Sequence, residues 1–422
     1  MGTGLVGDAG SGMEPFLAPG VEVLTPATVA PAHPCATRST PGGKGTGMTM
    51  KILVFGLSLS SSWGNGHATT WRALLGALAD RGHDIVFLER TRPWYARHRD
   101  LKDPDWCRLA FYEELSDLEQ FVPLVAGADV VIVGSYVPDG VDVAEWVQRT
   151  ASGTVAFYDI DTPVTLARLP AGACEYLTPE LIPQFDLYLS FTGGPTLRFI
   201  EEVYGAPAAR VLHCSVDETR YRKTPAARRW HLGYLGTYSV DRQPALERLL
   251  IEPARQAPDL RFVVAGPQYP DDIDWPRNVE RIEYLPPTAH PQFYSSLCWA
   301  LNVTRAEMIA AGHSPSVRLF EAGACGTPII TDEWPGLGEV FEPSKEIVVA
   351  RTSEDVLSAV RWSEDDRLQM ANAGRRRVLG EHTAHHRARE LEANLAEIAP
   401  ARARDTRRRS AGLSETGRFP HP

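Results

Sequence analysis

The 422-residue chain is poor in cysteine and lysine, and no long apolar run interrupts it. Its six cysteines, at positions 35, 107, 174, 214, 298 and 325, include no Cys-x-x-Cys pair. That scatter excludes a zinc ribbon or a disulfide framework and fits reduced thiols in a cytoplasmic protein. No stretch is apolar over the length a membrane helix requires, so no transmembrane segment is expected. The N-terminus also lacks the charged-then-apolar pattern of a secretion signal. Lysine is scarce and arginine abundant, within a formal net charge of −10. The acidic total argues against nucleic acid as a bulk partner, while the arginines leave room for local phosphate sites.

What is present is a globular composition, 43% hydrophobic and 9% aromatic. The chain is too long for one ordinary core and suits two domains. Residues 1–49 are rich in Gly, Pro, Thr and Ala without any period and read as a disordered extension, with Met48 and Met50 just before the first strand. Within them, residues 42–47 match a phosphate loop only in part. From Lys51 strands alternate with helices. Lys51–Leu57 and Asp84–Glu89 flank an amphipathic helix over Thr69–Arg81. Further strands are expected at Asp129–Val133, Thr154–Tyr158, Leu187–Phe191 and Arg210–Cys214. An Arg-rich stretch from Glu218 to Trp230 reads as a linker. The alternation then restarts with His231–Leu235 and ends in helices over Glu354–Trp362 and Asp365–Ile398. Such alternation means a parallel sheet covered on both faces, in each of two halves. The expected domains are 50–225 and 226–398, with a disordered tail over 399–422, and the cleft between the halves is the expected site.

One stretch does not read as packing alone: Ser314-Pro-Ser-Val-Arg-Leu-Phe-Glu-Ala-Gly-Ala-Cys-Gly-Thr-Pro-Ile-Ile-Thr-Asp332. It reads as a loop, a short helix and a buried strand. Ser314 or Ser316 can cap the helix, Gly326 closes it and Pro328 prevents its continuation. Glu321 stands inside an otherwise apolar helix, with Arg318 one turn earlier. A helix N-terminus beside small residues is suited to an anion. The plain alternative is a Glu–Arg pair on a half-exposed helix.

Read together, Trp63-Gly-Asn-Gly-His-Ala-Thr-Thr70, Tyr158-Asp-Ile-Asp-Thr-Pro163, Leu301-Asn-Val-Thr-Arg305 and the 314–332 stretch resemble the group 1 glycosyltransferases of the GT-B fold. These are α/β proteins with two facing Rossmann-like domains, and the resemblance covers residues 50–398. Within that class the chain is similar to the bacterial CgeB-like, spore-maturation branch. The resemblance implies a nucleotide-sugar site in the interdomain cleft, with Glu321 accepting hydrogen bonds from the ribose. It further implies donor contacts from Gly236, Thr237, Arg242, Arg305, Arg318, Ser314 and Ser316, with the base against Leu285 and Pro286. Relatives often carry a second Glu eight positions before the first; His313 stands there in this chain.

His67, in the loop after the first strand, is a candidate general base, since a neutral imidazole can take a proton from an acceptor hydroxyl. Capping the helix or touching substrate without proton transfer is the alternative. Gly64, Asn65 and Gly66 of the same loop are candidate acceptor contacts. Asp159 and Asp161 form an Asp-x-Asp pattern, read as acceptor binding or a catalytic carboxylate, with strand-end capping as the alternative. The helix N-terminus and the arginines can neutralise a diphosphate, so neither metal nor cofactor is expected. Trp94, Tyr95 and Trp106 can form a sugar platform or simply pack. His382, His385 and His386 read as a solvated helix face. The expected activity is hexosyl transfer from a nucleotide-sugar to an unidentified acceptor, whether glycan, small molecule or protein. Glu321 leans towards retention and His67 towards inversion. The rivals are an epimerase or phosphorylase on the same fold, and a non-catalytic sugar-nucleotide-binding protein of a surface coat.

Overall fold

The computed structural model describes residues 49–63 and 66–398. The N-terminal extension with its Gly-rich run, Gly64, Asn65 and the tail from 399 lie outside the described residues. Strands β1 (Lys51–Gly56), β2 (Asp84–Arg90), β3 (Arg108–Tyr112), β4 (Val130–Gly134), β5 (Thr154–Asp159), β6 (Leu187–Ser190) and β7 (Ala209–Val211) form the first sheet. Their spatial order is β3-β2-β1-β4-β5-β6-β7. The second sheet holds β8 (Trp230–Leu235), β9 (Phe262–Ala265), β10 (Val279–Ile282), β11 (Leu297–Asn302), β12 (Ile329–Thr331) and β13 (Val348–Val349), in the order β10-β9-β8-β11-β12-β13. Adjacent strands run parallel in both. All of β4 (Val-Val-Ile-Val-Gly) and all of β5 are buried, because helices cover both faces of such sheets and leave no solvated side.

Each sheet reverses its strand order once, between β1 and β4 and between β8 and β11. At such a point the connections leave to opposite faces and open a crevice at the carboxyl ends of the strands. One apolar core runs through both halves, joining Ile52, Trp71 and Tyr158 to Leu319, Phe320 and Leu391. Among the described residues no helix is long and apolar enough to cross a membrane.

The closing helix expected over Asp365–Ile398 is two helices. The first, Glu364–Glu381, stops at His382, and a second runs over 384–398. Between them Thr383 pairs with Val216. The chain thereby crosses back to the first half, where Glu392 meets Arg81 at 2.6 Å and His83 at 2.7 Å. His382 is not solvated, as expected from sequence, but buried, stacked 4.8 Å from Phe320. Burial pulls its pKa down to about 3.

Candidate active site

On the second-sheet side, β8 ends at Leu235 and the chain turns through Gly236. A Cβ at Gly236 would stand 2.6 Å from the Tyr234 hydroxyl and 2.8 Å from Arg318 Nη2, so the glycine lets the guanidinium approach the backbone. Arg318, in the first turn of helix Val317–Ala324, spans the crevice between β8 and β11. It donates to the Leu235 carbonyl and, at 3.0 Å, to Asn302 Oδ1, and lies 4.8 Å over the Tyr234 ring. Half-buried Arg242 donates to the Thr237 carbonyl at 2.9 Å. Burial lowers the Arg242 pKa, and the nearby Arg318 and Arg305 guanidiniums lower it further, against Tyr234 and Asp241. Guanidiniums gathered so closely around Arg242 form a place for a multiply charged anion.

Ser316 occupies the cap position of helix Val317–Ala324, yet its hydroxyl does not cap. It accepts from Arg318 Nη1 at 3.3 Å, which leaves the first-turn amides uncapped by any side chain. Ser314 has a different place from the one expected. It is buried and accepts from Thr192 Oγ1 at 3.1 Å, where the halves touch. His313 belongs to the same floor: its carbonyl accepts from the Gly193 amide at 2.9 Å, and its ring meets Glu339 at 2.9 Å.

Glu321 is 5% exposed. It accepts from the Tyr294 hydroxyl at 3.1 Å, so its carboxylate has a partner already. Arg318 makes its bonds elsewhere, and the plain Glu321–Arg318 pair does not form among the described residues. Beyond β10, the Leu285 carbonyl lies 3.3 Å from His290 Nε2, whose other nitrogen is 3.2 Å from the Tyr221 hydroxyl. A carbonyl can only accept, so the contact to Leu285 places a proton on Nε2, and the Tyr221 hydroxyl also reaches the Glu321 carboxylate. Pro286 is exposed beside this relay.

On the first-sheet side, the loop after β1 is clamped by buried Glu89, which accepts from the Leu59 amide at 2.8 Å, the Ser60 amide at 2.9 Å and Ser60 Oγ at 2.7 Å. Past the loop Gly66 opens helix Gly66–Asp80 with open space where a Cβ would stand. His67 follows, edge-on to Tyr136 at 5.2 Å, and burial pulls its imidazole down to about 4. Tyr136 follows β4 with φ +62, a left-handed conformation that a tyrosine holds only where its surroundings impose it. Its hydroxyl donates to Asp161 Oδ2 at 3.1 Å. Asp161 precedes helix Thr162–Arg168 without capping it. Its Oδ2 lies 3.9 Å from Arg305 Nη1, which joins the two sides of the crevice. Burial raises the Asp161 pKa, against the pull of Arg305 and the Tyr136 hydroxyl.

Asp159 meets Asp161 only through the backbone, its Oδ1 accepting from the Asp161 amide at 3.3 Å. It is 0% exposed, with Tyr188 Oη at 2.6 Å and Thr165 Oγ1 at 2.8 Å, and burial pushes its pKa up to about 7. Fully buried at the end of β5, Asp159 has the surroundings of the structural alternative, strand-end capping, and not those of an acceptor contact or catalytic carboxylate. Sequence reasoning missed Tyr136. Its signal was the run Gly134-Ser-Tyr-Val-Pro-Asp-Gly140, a turn at the end of a buried strand beside the switch point. Among the aromatics, Trp106 packs against the core while Trp94 is exposed.

Residues 242–393 match the family model described as glycosyl transferase-like. No curated protein matches the sequence. Solved structures do resemble it. Sucrose-phosphate synthase from Thermosynechococcus elongatus has a TM-score of 0.61 at 13% identity, over 83% of this chain and 100% of that one. HepE of Anabaena, solved with UDP and glucose, has a TM-score of 0.60 at 14% identity, over 82% and 100%. An alpha-glucosyltransferase solved with UDP has a TM-score of 0.62 at 11% identity, over 82% and 100%. The chain therefore has the GT-B fold, two facing Rossmann-like domains, and its second domain carries a glycosyl transferase-like segment.

Proposed function

We propose that the protein is a glycosyltransferase that moves a hexose from a nucleotide-sugar to an acceptor hydroxyl, without metal or further cofactor. The observation that carries this reading is the convergence of Arg242, Arg305 and Arg318 on a crevice that also holds the buried carboxylate of Glu321. The arginines and the uncapped amides of helix Val317–Ala324 take the diphosphate. Glu321 takes the ribose diol, since one carboxylate has lone pairs for Tyr294 and for two hydroxyls. The backbone at Leu285 and Pro286 lies against the base. The glycosyl transferase-like segment and the UDP-bound structural neighbours support the donor class. The four segments quoted above support a place in the CgeB-like branch.

In the transfer, the acceptor oxygen bonds to the anomeric carbon as the bond from that carbon to the diphosphate oxygen breaks. The electron pair leaves with the nucleoside diphosphate, where the guanidiniums stabilise it. The hydroxyl proton passes to Asp161, whose raised pKa makes it a better acceptor than an ordinary carboxylate. His67, neutral above about pH 4, orients the hydroxyl, and Tyr136 orients Asp161. Melting the full chain with UDP, GDP, ADP, dTDP and CDP tests the donor site. A nucleotide at a hundred- to a thousandfold excess over its Kd stabilises by about 3–4 kcal/mol. Absence of any shift across the panel overturns the reading.

A further inference from the structure

The segment that leaves β2 concentrates positive charge in an acidic protein. Residues 90–99 hold four arginines and His98 without a single acid, while the whole chain carries −10. Arg90 is neutralised by Asp139 and Glu114, and the acid that follows, Asp100, is taken by Arg72 at 2.6 Å. Among the described residues Arg92, Arg97 and Arg99 enter no ion pair; Arg99 lies 3.9 Å over the Phe111 ring. Like charges so close in sequence repel one another, and without an anion they cost stability.

The same segment presents aromatic faces. Trp94 is 40% exposed, with the Arg92 guanidinium 6.0 Å from its ring. Trp63 is 41% exposed and stacks on His98 at 4.6 Å. Part-exposed aromatic faces beside guanidiniums suit stacking with a ligand ring. The patch is also tied to the acceptor side of the crevice. The Asp100 and Leu101 amides each donate to the Ser60 carbonyl at 3.0 Å, and Ser61 Oγ donates to the His98 carbonyl at 2.9 Å. The loop thus held is the one that leads into His67.

We propose that the acceptor is an anionic saccharide, a sugar phosphate or a uronic acid, whose charge is met by Arg92 and whose ring lies on Trp94 and Trp63. Guanidinium forks match phosphate and carboxylate oxygens, and the indole faces match the C–H face of a pyranose. The inference rests on the glycosyltransferase reading above.

Calorimetry on the full chain in the presence of UDP tests it, with glucose 6-phosphate, glucuronate and maltose as probes. One of the charged probes should bind at least about tenfold more tightly than maltose, and more weakly as salt rises. Which of the two binds separates phosphate from carboxylate. Arg92→Ala should weaken that probe about tenfold while leaving UDP affinity unchanged and melting temperature no lower, since Arg92 holds no ion pair. Trp94→Ala should weaken it as well. Maltose binding as tightly as the charged probes, or Arg92→Ala leaving their affinity intact, overturns the proposal. Failure of both charged probes with UDP still bound also overturns it and leaves the donor reading standing. Failure of UDP itself removes the donor reading and this inference with it.

Discussion

Glu321→Gln separates a donor-site carboxylate from a packing one. The side chain is buried, and Tyr294 donates to one of its oxygens at 3.1 Å. An amide of the same shape can keep that contact by placing its carbonyl oxygen towards Tyr294. The other position then carries an NH2 group where the carboxylate offered lone pairs. A ribose hydroxyl that donated there meets a donor instead. Losing a hydrogen bond to a charged acceptor costs about 1.5–3 kcal/mol, or ten- to a hundredfold in affinity. The unliganded fold loses little, because no guanidinium among the described residues depends on Glu321. Tyr294→Phe acts in the opposite way. It strips a buried carboxylate of one of two tyrosine partners, Tyr221 being the other, and should destabilise by about 1–3 kcal/mol. Isothermal titration with UDP and thermal melting on both variants read the two effects separately. An unchanged Kd in Glu321→Gln beside a clear fall in melting temperature would refute the ribose contact.

Asp161→Asn removes the 3.9 Å contact with Arg305 and leaves Asp241 and Glu307, each at 3.8 Å, as that guanidinium's carboxylate neighbours. The pair is partly exposed, so UDP affinity should rise by no more than about fivefold while turnover falls at least about a hundredfold; weaker UDP binding contradicts the arrangement. Turnover should survive excess EDTA, and loss restored by manganese would return a metal to the mechanism. Asp159 has its folded pKa near 7, above an ordinary 3.8. Between those values the folded state holds a proton that the unfolded state has lost, so this residue makes stability fall as pH rises from 4 to 7. Asp159→Asn should remove up to about 4 kcal/mol of that slope in denaturant titrations, and an unchanged slope contradicts the burial argument.

The alternation of strand and helix was legible because buried parallel strands are unbroken apolar runs, as in Val130–Gly134. β3 was not, since Arg108–Tyr112 is a short, half-buried edge strand behind a loop of Asp and Pro. The break at His382 was equally hidden. Nothing in the helical pattern announces that Thr383 pairs with Val216, over 160 positions away. In the crevice, residue type marked Glu321 and the arginines because charge in an apolar setting stands out. The division of labour between Asp159 and Asp161 is invisible in Asp-Ile-Asp. Two residues apart they would share one face of a strand, but β5 ends at Asp159 and Asp161 stands in the turn beyond, and only the fold shows that Asp159 is enclosed by Tyr188 and Thr165. Ser314 and Ser316 differ for the same kind of reason, one facing Thr192 and the other Arg318.

The return of the chain at Thr383 bears on how the crevice opens. The main chain passes between the halves twice, and the passes lie side by side, with the Val216 amide donating to the His382 carbonyl at 3.2 Å and the Ala384 amide to the Val216 carbonyl at 2.9 Å. A single strand would be a swivel, free to twist as well as bend. Two strands laced together act as a strap, which resists twisting and sliding and yields only across its width. The relative motion of the domains is thereby reduced to one axis, and each closing of the crevice brings Asp161 back to the same guanidinium.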